Sequence, residues 1–395
     1  MAGERTHHKA REKNFMEEEF AFKKRDLQIA GGVLLVVILA VAGFMVFAQK
    51  PAAPAVPADS SPMVNVVKII DSNCKDCFNL TEVVSAIKAG GAKVGKEEAV
   101  EFTSGTGKDL IAKYGITKIP SMVVTGAINS SGVKQVFSTL GEEKQGALVL
   151  TKPNPVYIDV QSGEAKGRIS LTYLKDSACK DCGDYTASIA QLKQVGVVIS
   201  SEKSVEYSSP EGKALLQKYN ITNVPTLLLS KDAAEYGDLE TVWAQIGSIE
   251  ADGTHVIRTP NPPYVEVATG VVKGIVSLVI LADSECAECY DTSLHRQSLE
   301  SLGIKIGNET AIEFNSTEGQ ALVKKYAITA VPTMLISPEA SEYMMLTQLW
   351  PQVGSFEPDG WLVFRNMDAM ASAIYRNATS GQVVRPAANA PAGAA

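Results

Sequence analysis

The sequence predicts an α/β protein in which three tandem copies of one unit, each a mixed sheet flanked by helices, follow a single N-terminal transmembrane helix. Three observations carry this. A Cys-x-x-Cys pair occurs as Cys74 and Cys77, Cys179 and Cys182, and Cys286 and Cys289. In each copy the proline of an Ile119-Pro120, Val224-Pro225 or Val331-Pro332 step follows 43 residues after the second cysteine. Twenty residues, Ile29 to Ala48, carry no charge. Spacing held through three copies marks an internal repeat, and 395 residues with offsets of 105 and 107 between pairs give three domains long enough to bury cores.

Residues 1–28 hold seven Lys/Arg against six Asp/Glu, with Lys23-Lys24-Arg25 next to the apolar stretch. A twenty-residue helix covers about 30 Å, the thickness of a bilayer core, so residues 29–48 are expected to span a membrane. The basic flank puts residues 1–28 in the cytoplasm and the domains outside it. Val46-Phe47-Ala48 would also suit cleavage of a signal peptide, but the long polar leader and twenty-residue core favour an uncleaved anchor. Residues 49–62 form a Pro/Ala spacer. The remainder carries 30 basic and 38 acidic residues, which argues against nucleic acid or an anionic lipid surface as partner. With 45% hydrophobic and 21% charged residues, a folded interior is expected.

The units are expected at residues 63–150, 151–258 and 259–376, with residues 377–395 a disordered tail. Each opens with a β-branched run (Val64–Ile70, Ile169–Leu174, Ile275–Leu281) that reads as a buried strand. Asp71-Ser72, Asp176-Ser177 and Asp283-Ser284 then offer capping residues, so a helix is expected to start at each pair. In the first copy Leu80, Val83, Val84 and Ile87 repeat at helical spacing until Gly90-Gly91. A second strand (Ala99–Phe102, Val205–Tyr207, Ala311–Phe314) and a second helix with core positions Leu110, Ile111 and Tyr114 and their counterparts come next. After each proline step a strand is expected, then another ending at Gly141, Gly247 or Gly354. Proline-rich joints at 153–157 and 260–264 separate the copies.

All six cysteines fall in the pairs, leaving none for a structural cross-link. Only a thiolate attacks a disulfide, and a cysteine at a helix N-terminus feels the positive end of the dipole. Two intervening residues put the second sulfur within bonding reach, so a reversible disulfide is expected. Zinc would need four ligands where each pair offers two, and His255 and His295 occupy unlike positions in their copies, so no metal is expected. Asn-x-Ser/Thr matches at Asn79, Asn129, Asn220, Asn308, Asn315 and Asn377 are common by chance; Asn79 and Asn220 lie beside the proposed sites.

On Cys-x-x-Cys at a strand-to-helix junction, followed by Lys-Tyr-x-Ile-Thr-x-Ile/Val-Pro-Ser/Thr and an apolar strand, the chain resembles the thioredoxin-like family over about residues 63–145, 165–250 and 272–357. The resemblance implies that Cys74, Cys179 and Cys286 are nucleophiles and that Cys77, Cys182 and Cys289 resolve the mixed disulfide. It implies that Pro120, Pro225 and Pro332 are cis and face the pairs, with the backbone at Ile119, Val224 and Val331 open to a substrate strand. The chain departs from the family where Asn73, Ala178 and Glu285 replace an aromatic residue and where Lys-Asp, Lys-Asp and Ala-Glu fill the pairs. Asp76, Asp181 and Glu288 should destabilise a nearby thiolate while Lys75 and Lys180 stabilise it, so the third nucleophile is expected to be the least acidic.

The expected function is a membrane-anchored, extracytoplasmic thiol-disulfide oxidoreductase. It would act on protein thiols and disulfides or on a membrane redox partner, with no organic cofactor and with the redox direction open. The alternative is a non-catalytic anchored scaffold that binds partners through its domain faces.

Overall fold

The computed structural model of the chain describes residues 61–370 and 373–385. The cytoplasmic segment, the membrane helix and most of the spacer expected over residues 1–60 lie outside the described residues, as do tail residues 386–395. Among the described residues no helix is long and apolar enough to cross a membrane.

The first unit contains β1 (Met63–Ile70), α1 (Leu80–Ala89), β2 (Lys93–Glu101), α2 (Gly105–Tyr114), β3 (Lys118–Ile119), β4 (Ser121–Gly126), α3 (Ser131–Leu140), β5 (Gly141–Lys144), β6 (Ala147–Leu150), β7 (Tyr157–Asp159) and β8 (Ala165–Lys166). The second repeats this as β9 (Ile169–Lys175), α4 (Thr186–Gln194), β10 (Ile199–Glu206), α5 (Pro210–Tyr219), β11 (Asn223–Val224), β12 (Thr226–Leu229), α6 (Gly237–Ile246), β13 (Gly247–Ile249), β14 (His255–Ile257), β15 (Tyr264–Glu266) and β16 (Val271–Lys273). The third has β17 (Ile275–Ala282), α7 (Ser293–Ser301), β18 (Lys305–Glu313), α8 (Thr317–Tyr326), β19 (Ala330–Val331), β20 (Thr333–Ile336), α9 (Met344–Val353), β21 (Gly354–Phe356), β22 (Leu362–Phe364), β23 (Tyr375–Asn377) and β24 (Val383–Val384).

Each unit has a five-stranded sheet, ordered β2-β1-β4-β6-β5 in the first copy and equivalently in the others. The β1–β2 pairing is parallel and the rest antiparallel. Both faces are covered, which is why β1 carries apolar residues on both sides. Val64 and Val66 pack with Leu80, Val84 and Ile87 of α1 and Phe137 of α3, while Ile69 joins Tyr114 of α2 and Ile119. Ser104, Ser209 and Ser316 cap α2, α5 and α8 by accepting, at 3.0 Å each, the N–H of Gly107, Gly212 or Gly319.

Two expectations are corrected. The segments running to Gly141, Gly247 and Gly354, expected as strands, are helices α3, α6 and α9, and the strands begin at those glycines. Val133, Val136, Phe137 and Leu140 recur at i, i+3, i+4 and i+7, as do Leu239, Val242, Trp243 and Ile246, and this period requires a helix for burial against one sheet face. A Cβ on Gly141 would stand 2.2 Å from the Val149 carbonyl oxygen, so only glycine permits the turn from helix into sheet.

The unit boundaries also move. The joints expected to open the following units belong to the preceding ones, because β7 pairs with β3 and β15 with β11. Residues 377–384, assigned to the tail, complete the same feature in the third unit, where β23 pairs with β19 and with β24. Each unit therefore ends in a hairpin that forms a second, three-stranded sheet on the short strand before the proline.

Candidate functional site

Each cysteine pair occupies the turn between the first strand of its unit and the following helix. The Asp71 carboxylate accepts from Asn73 N–H at 2.9 Å, and its carbonyl accepts from Cys74 N–H at 3.1 Å. The adjacent parallel strand pins the same turn, since Glu101 accepts from Ser72 N–H at 3.2 Å. Glu206 and Glu313 do likewise for Ser177 and Ser284 at 3.0 and 3.1 Å. These three glutamates were not singled out in the sequence, although each falls 27 residues after its first cysteine.

The helix expected to start at each pair starts later, at Leu80, Thr186 and Ser293. Asn79, Asp184 and Asp291 take up the N–H groups of Thr81, Thr186 and Ser293 at 2.8–2.9 Å and so fix those starts. The cysteines therefore ride a turn ahead of the helix, and one of its first N–H groups is committed to a capping side chain. All three pairs are joined as disulfides, with Cα–Cα distances of 5.4, 5.5 and 5.4 Å. Five of the six cysteines are partly exposed, whereas Cys286 is buried at 8% exposure.

Ile119-Pro120, Val224-Pro225 and Val331-Pro332 are cis peptides, and all six residues are buried. Cys74 and Cys77 pack against the cluster holding Ile119, and Cys179 and Cys182 against that holding Val224. In the third unit Tyr290, next to Cys289, donates its hydroxyl to the Pro332 carbonyl at 2.7 Å. Each pair and its proline strand thus form one site.

The backbone before the proline, expected to lie open to a substrate strand, is occupied by the chain itself. Ile119 faces Ile158 in the β3–β7 ladder, Val224 faces Val265, and Val331 faces Arg376. The same covering segments reach back to the cysteines. Phe78 N–H donates to Val156 O at 2.8 Å, Gly183 N–H to Pro263 O at 2.7 Å, and Tyr290 N–H to Ile374 O at 3.0 Å. In the first two units the prolines of the joints lie where the chain turns back, and in all three an otherwise bare strand edge is satisfied internally.

The charges also depart from expectation. Lys75 and Lys180 donate to the carbonyls of Ser72 and Ser177 at 2.7 and 3.1 Å within their own turns. The acids inside the pairs are held by cations from elsewhere in the chain. Arg168 binds Asp76 through Nη2 at 2.6 Å and Nε at 2.9 Å, Lys305 binds Asp181 at 2.7 Å, and two guanidinium nitrogens of Arg385 bind Glu288. The Arg168 hydrogen bonds hold the Asp76 carboxyl below its usual range. In the third site the counterpart of Asp71 and Asp176 is Asp283, whose buried carboxylate pairs with Arg376 at 2.6 Å. Its oxygen and the sulfurs of Cys286 and Cys289 lie within 4.8 Å of one another, with Arg376 occupying the carboxylate and the sulfurs bonded to each other.

No family model matches this sequence, and no curated protein matches it. Solved structures that align with it include the alkylhydroperoxide reductase protein AhpF of Enterococcus faecalis, at 16% identity over 42% of this chain and 81% of that one, with a TM-score of 0.15. Others are ERdj5, at 10% identity over 74% of this chain and 40% of that one, with a TM-score of 0.14, and zinc-bound human ERp44, at 11% over 72% and 85%, with a TM-score of 0.13. At these TM-scores no inference is drawn from the matches, and the site stands on its own geometry.

Proposed function

We propose that the chain is a thioredoxin-like thiol-disulfide oxidoreductase with three centres, anchored in a membrane by residues 29–48 and acting outside the cytoplasm. The observation that carries the catalytic part is the threefold disulfide at i, i+3 in a strand-to-helix turn, packed in the first two units with the cluster that holds the residue before a cis proline and linked to that strand in the third through Tyr290. In the reducing direction the thiolate of Cys74, Cys179 or Cys286 attacks a substrate disulfide and one substrate sulfur leaves as thiolate. Cys77, Cys182 or Cys289 then attacks the mixed disulfide, releasing the second substrate thiol and closing the bond seen here. Two electrons pass from protein to substrate, and oxidation of a substrate dithiol is the reverse. Protein disulfides or a membrane redox partner would supply the other half of the exchange.

A second reading, an anchored scaffold without turnover, is favoured by the strand that covers each proline edge. Turnover of a fluorescent disulfide substrate separates the two. The full chain is expected to reduce it with a dithiol as electron donor, and Cys74→Ser, Cys179→Ser and Cys286→Ser combined are expected to abolish the activity. An active triple variant would leave the scaffold reading standing. Resistance of the full chain to alkaline extraction from membranes tests the anchor, and release into the soluble fraction would overturn it.

A further inference from the structure

The first and second centres share most of their charged surroundings. Both hold Lys-Asp inside the pair, an aspartate whose carboxylate closes the turn (Asp71, Asp176), and a glutamate on the neighbouring strand (Glu101, Glu206). The second adds Lys175, 4.0 Å from Glu206. The principal difference lies just behind the hairpin. There the first unit runs Gly167-Arg168 and the second Gly274-Ile275. Arg168 reaches back over the first pair, so that Nη2 stands 2.6 Å from Asp76 Oδ1 and 3.6 Å from Cys74 Sγ. Asp76 Oδ1 is itself 3.6 Å from that sulfur.

A carboxylate at this distance opposes formation of a thiolate, and a guanidinium in contact with both groups cancels the opposition and adds attraction. At the second centre Ile275 cannot do this, and Lys305 from the third unit meets Asp181 alone among the contacts described. We propose that Arg168 is the thiolate-stabilising residue of the first centre, so that the link between the first hairpin and the second unit governs how reactive the first nucleophile is. This deepens the oxidoreductase reading and rests on it for its biological meaning, but the thiolate itself can be observed without any turnover.

The test uses the full chain in detergent with Cys179, Cys182, Cys286 and Cys289 replaced by Ser. The first pair is reduced by dithiothreitol, which leaves as its cyclic disulfide, and Cys74 alkylation by iodoacetamide is followed against pH. Arg168→Gln is expected to move the pH midpoint of alkylation upward and slow the reaction at neutral pH about tenfold, with Arg168→Lys restoring part of the rate. Asp76→Asn is expected to move the midpoint downward, because Arg168 is then free to face the sulfur alone. Should Arg168→Gln fold poorly, the Asp76→Asn result decides the matter. An unchanged midpoint in Arg168→Gln, or an upward or absent shift in Asp76→Asn, overturns the proposal. Shifts as expected in a protein without turnover would sink the oxidoreductase reading and leave the role of Arg168 intact.

Discussion

Tyr290 has one hydroxyl proton and two polar neighbours, the Pro332 carbonyl at 2.7 Å and His295 Nε2 at 2.8 Å. The carbonyl can only accept, so the proton goes there, and His295 must donate from Nε2 to the tyrosine oxygen. The imidazole thus carries a proton on Nε2. It is buried at 3% exposure, in edge contact with the rings of Tyr290 and Phe364, and burial lowers its pKa from 6.5 to about 4. Above pH 6.5 the ring is neutral whether folded or unfolded. Between 6.5 and 4 the unfolded chain takes up a proton that the folded chain refuses, so stability falls as pH falls through that window, by about 3 kcal/mol in all. Below pH 4 this contribution stops changing. His295→Gln is expected to flatten this part of the pH dependence in the third unit, measured by hydrogen exchange of β20 amides. A slope as steep as wild type would remove His295 as its source.

Helices α2, α5 and α8 end alike, with one residue in the left-handed region whose N–H returns to the last turn. That residue is Gly115 at φ 58°, Asn220 at 48° and Ala327 at 49°. Glycine adopts this conformation freely and asparagine tolerates it, whereas alanine is strained by its Cβ. In the second and third units the same ends are tied by arginine. Arg258 donates to Tyr219 O at 2.6 Å and Asn220 O at 3.1 Å, and Arg365 to Tyr326 O at 2.6 Å and Ala327 O at 3.3 Å. The arginine satisfies orphan carbonyls but does not relieve the backbone, so Ala327→Gly is expected to stabilise the third unit by about 0.5–1 kcal/mol after glycine's greater unfolded-state entropy is deducted. A denaturant midpoint unchanged or lowered in that variant would show that the αL strain is already compensated.

Across the molecule, each of the first two hairpins is shared by two units. Strand β7 pairs with β3 of the first, while Tyr157 on it hydrogen-bonds to Glu235 in the 3-10 turn Lys231–Glu235 of the second. Strand β15 repeats this, with Tyr264 donating to Glu342 of the third unit at 2.6 Å. From the other side Tyr236 and Tyr343 donate to the Gly167 and Gly274 carbonyls at 2.8 and 2.7 Å. The strand that covers one proline edge is therefore also held by the next unit. Tyr157→Phe and Tyr264→Phe keep the ring while removing the bond to a half-exposed carboxylate. Together they are expected to weaken each junction by about 1 kcal/mol and to spread the units' calorimetric transitions apart. Overlapping transitions in the double variant would mean that the hairpins bind the next unit through other contacts.

The sequence alone determined the three copies, the six cysteines, the three proline steps at fixed distance from them and the first strand of each unit. These rest on local spacing, which the chain carries whatever it folds against. The period of Val133, Val136, Phe137 and Leu140 and the recurrence of Glu101, Glu206 and Glu313 at one offset from the first cysteines are equally legible. Tertiary structure decided what closes each site. The joint at 153–157 shows in sequence only that two prolines interrupt the chain, and whether the segment from Tyr157 onward pairs with β3 or with the next unit depends on which edge lacks a partner once both sheets exist. Arg168 likewise lies 92 residues from Asp76, so only the folded hairpin brings its charge to the carboxylate and the sulfur.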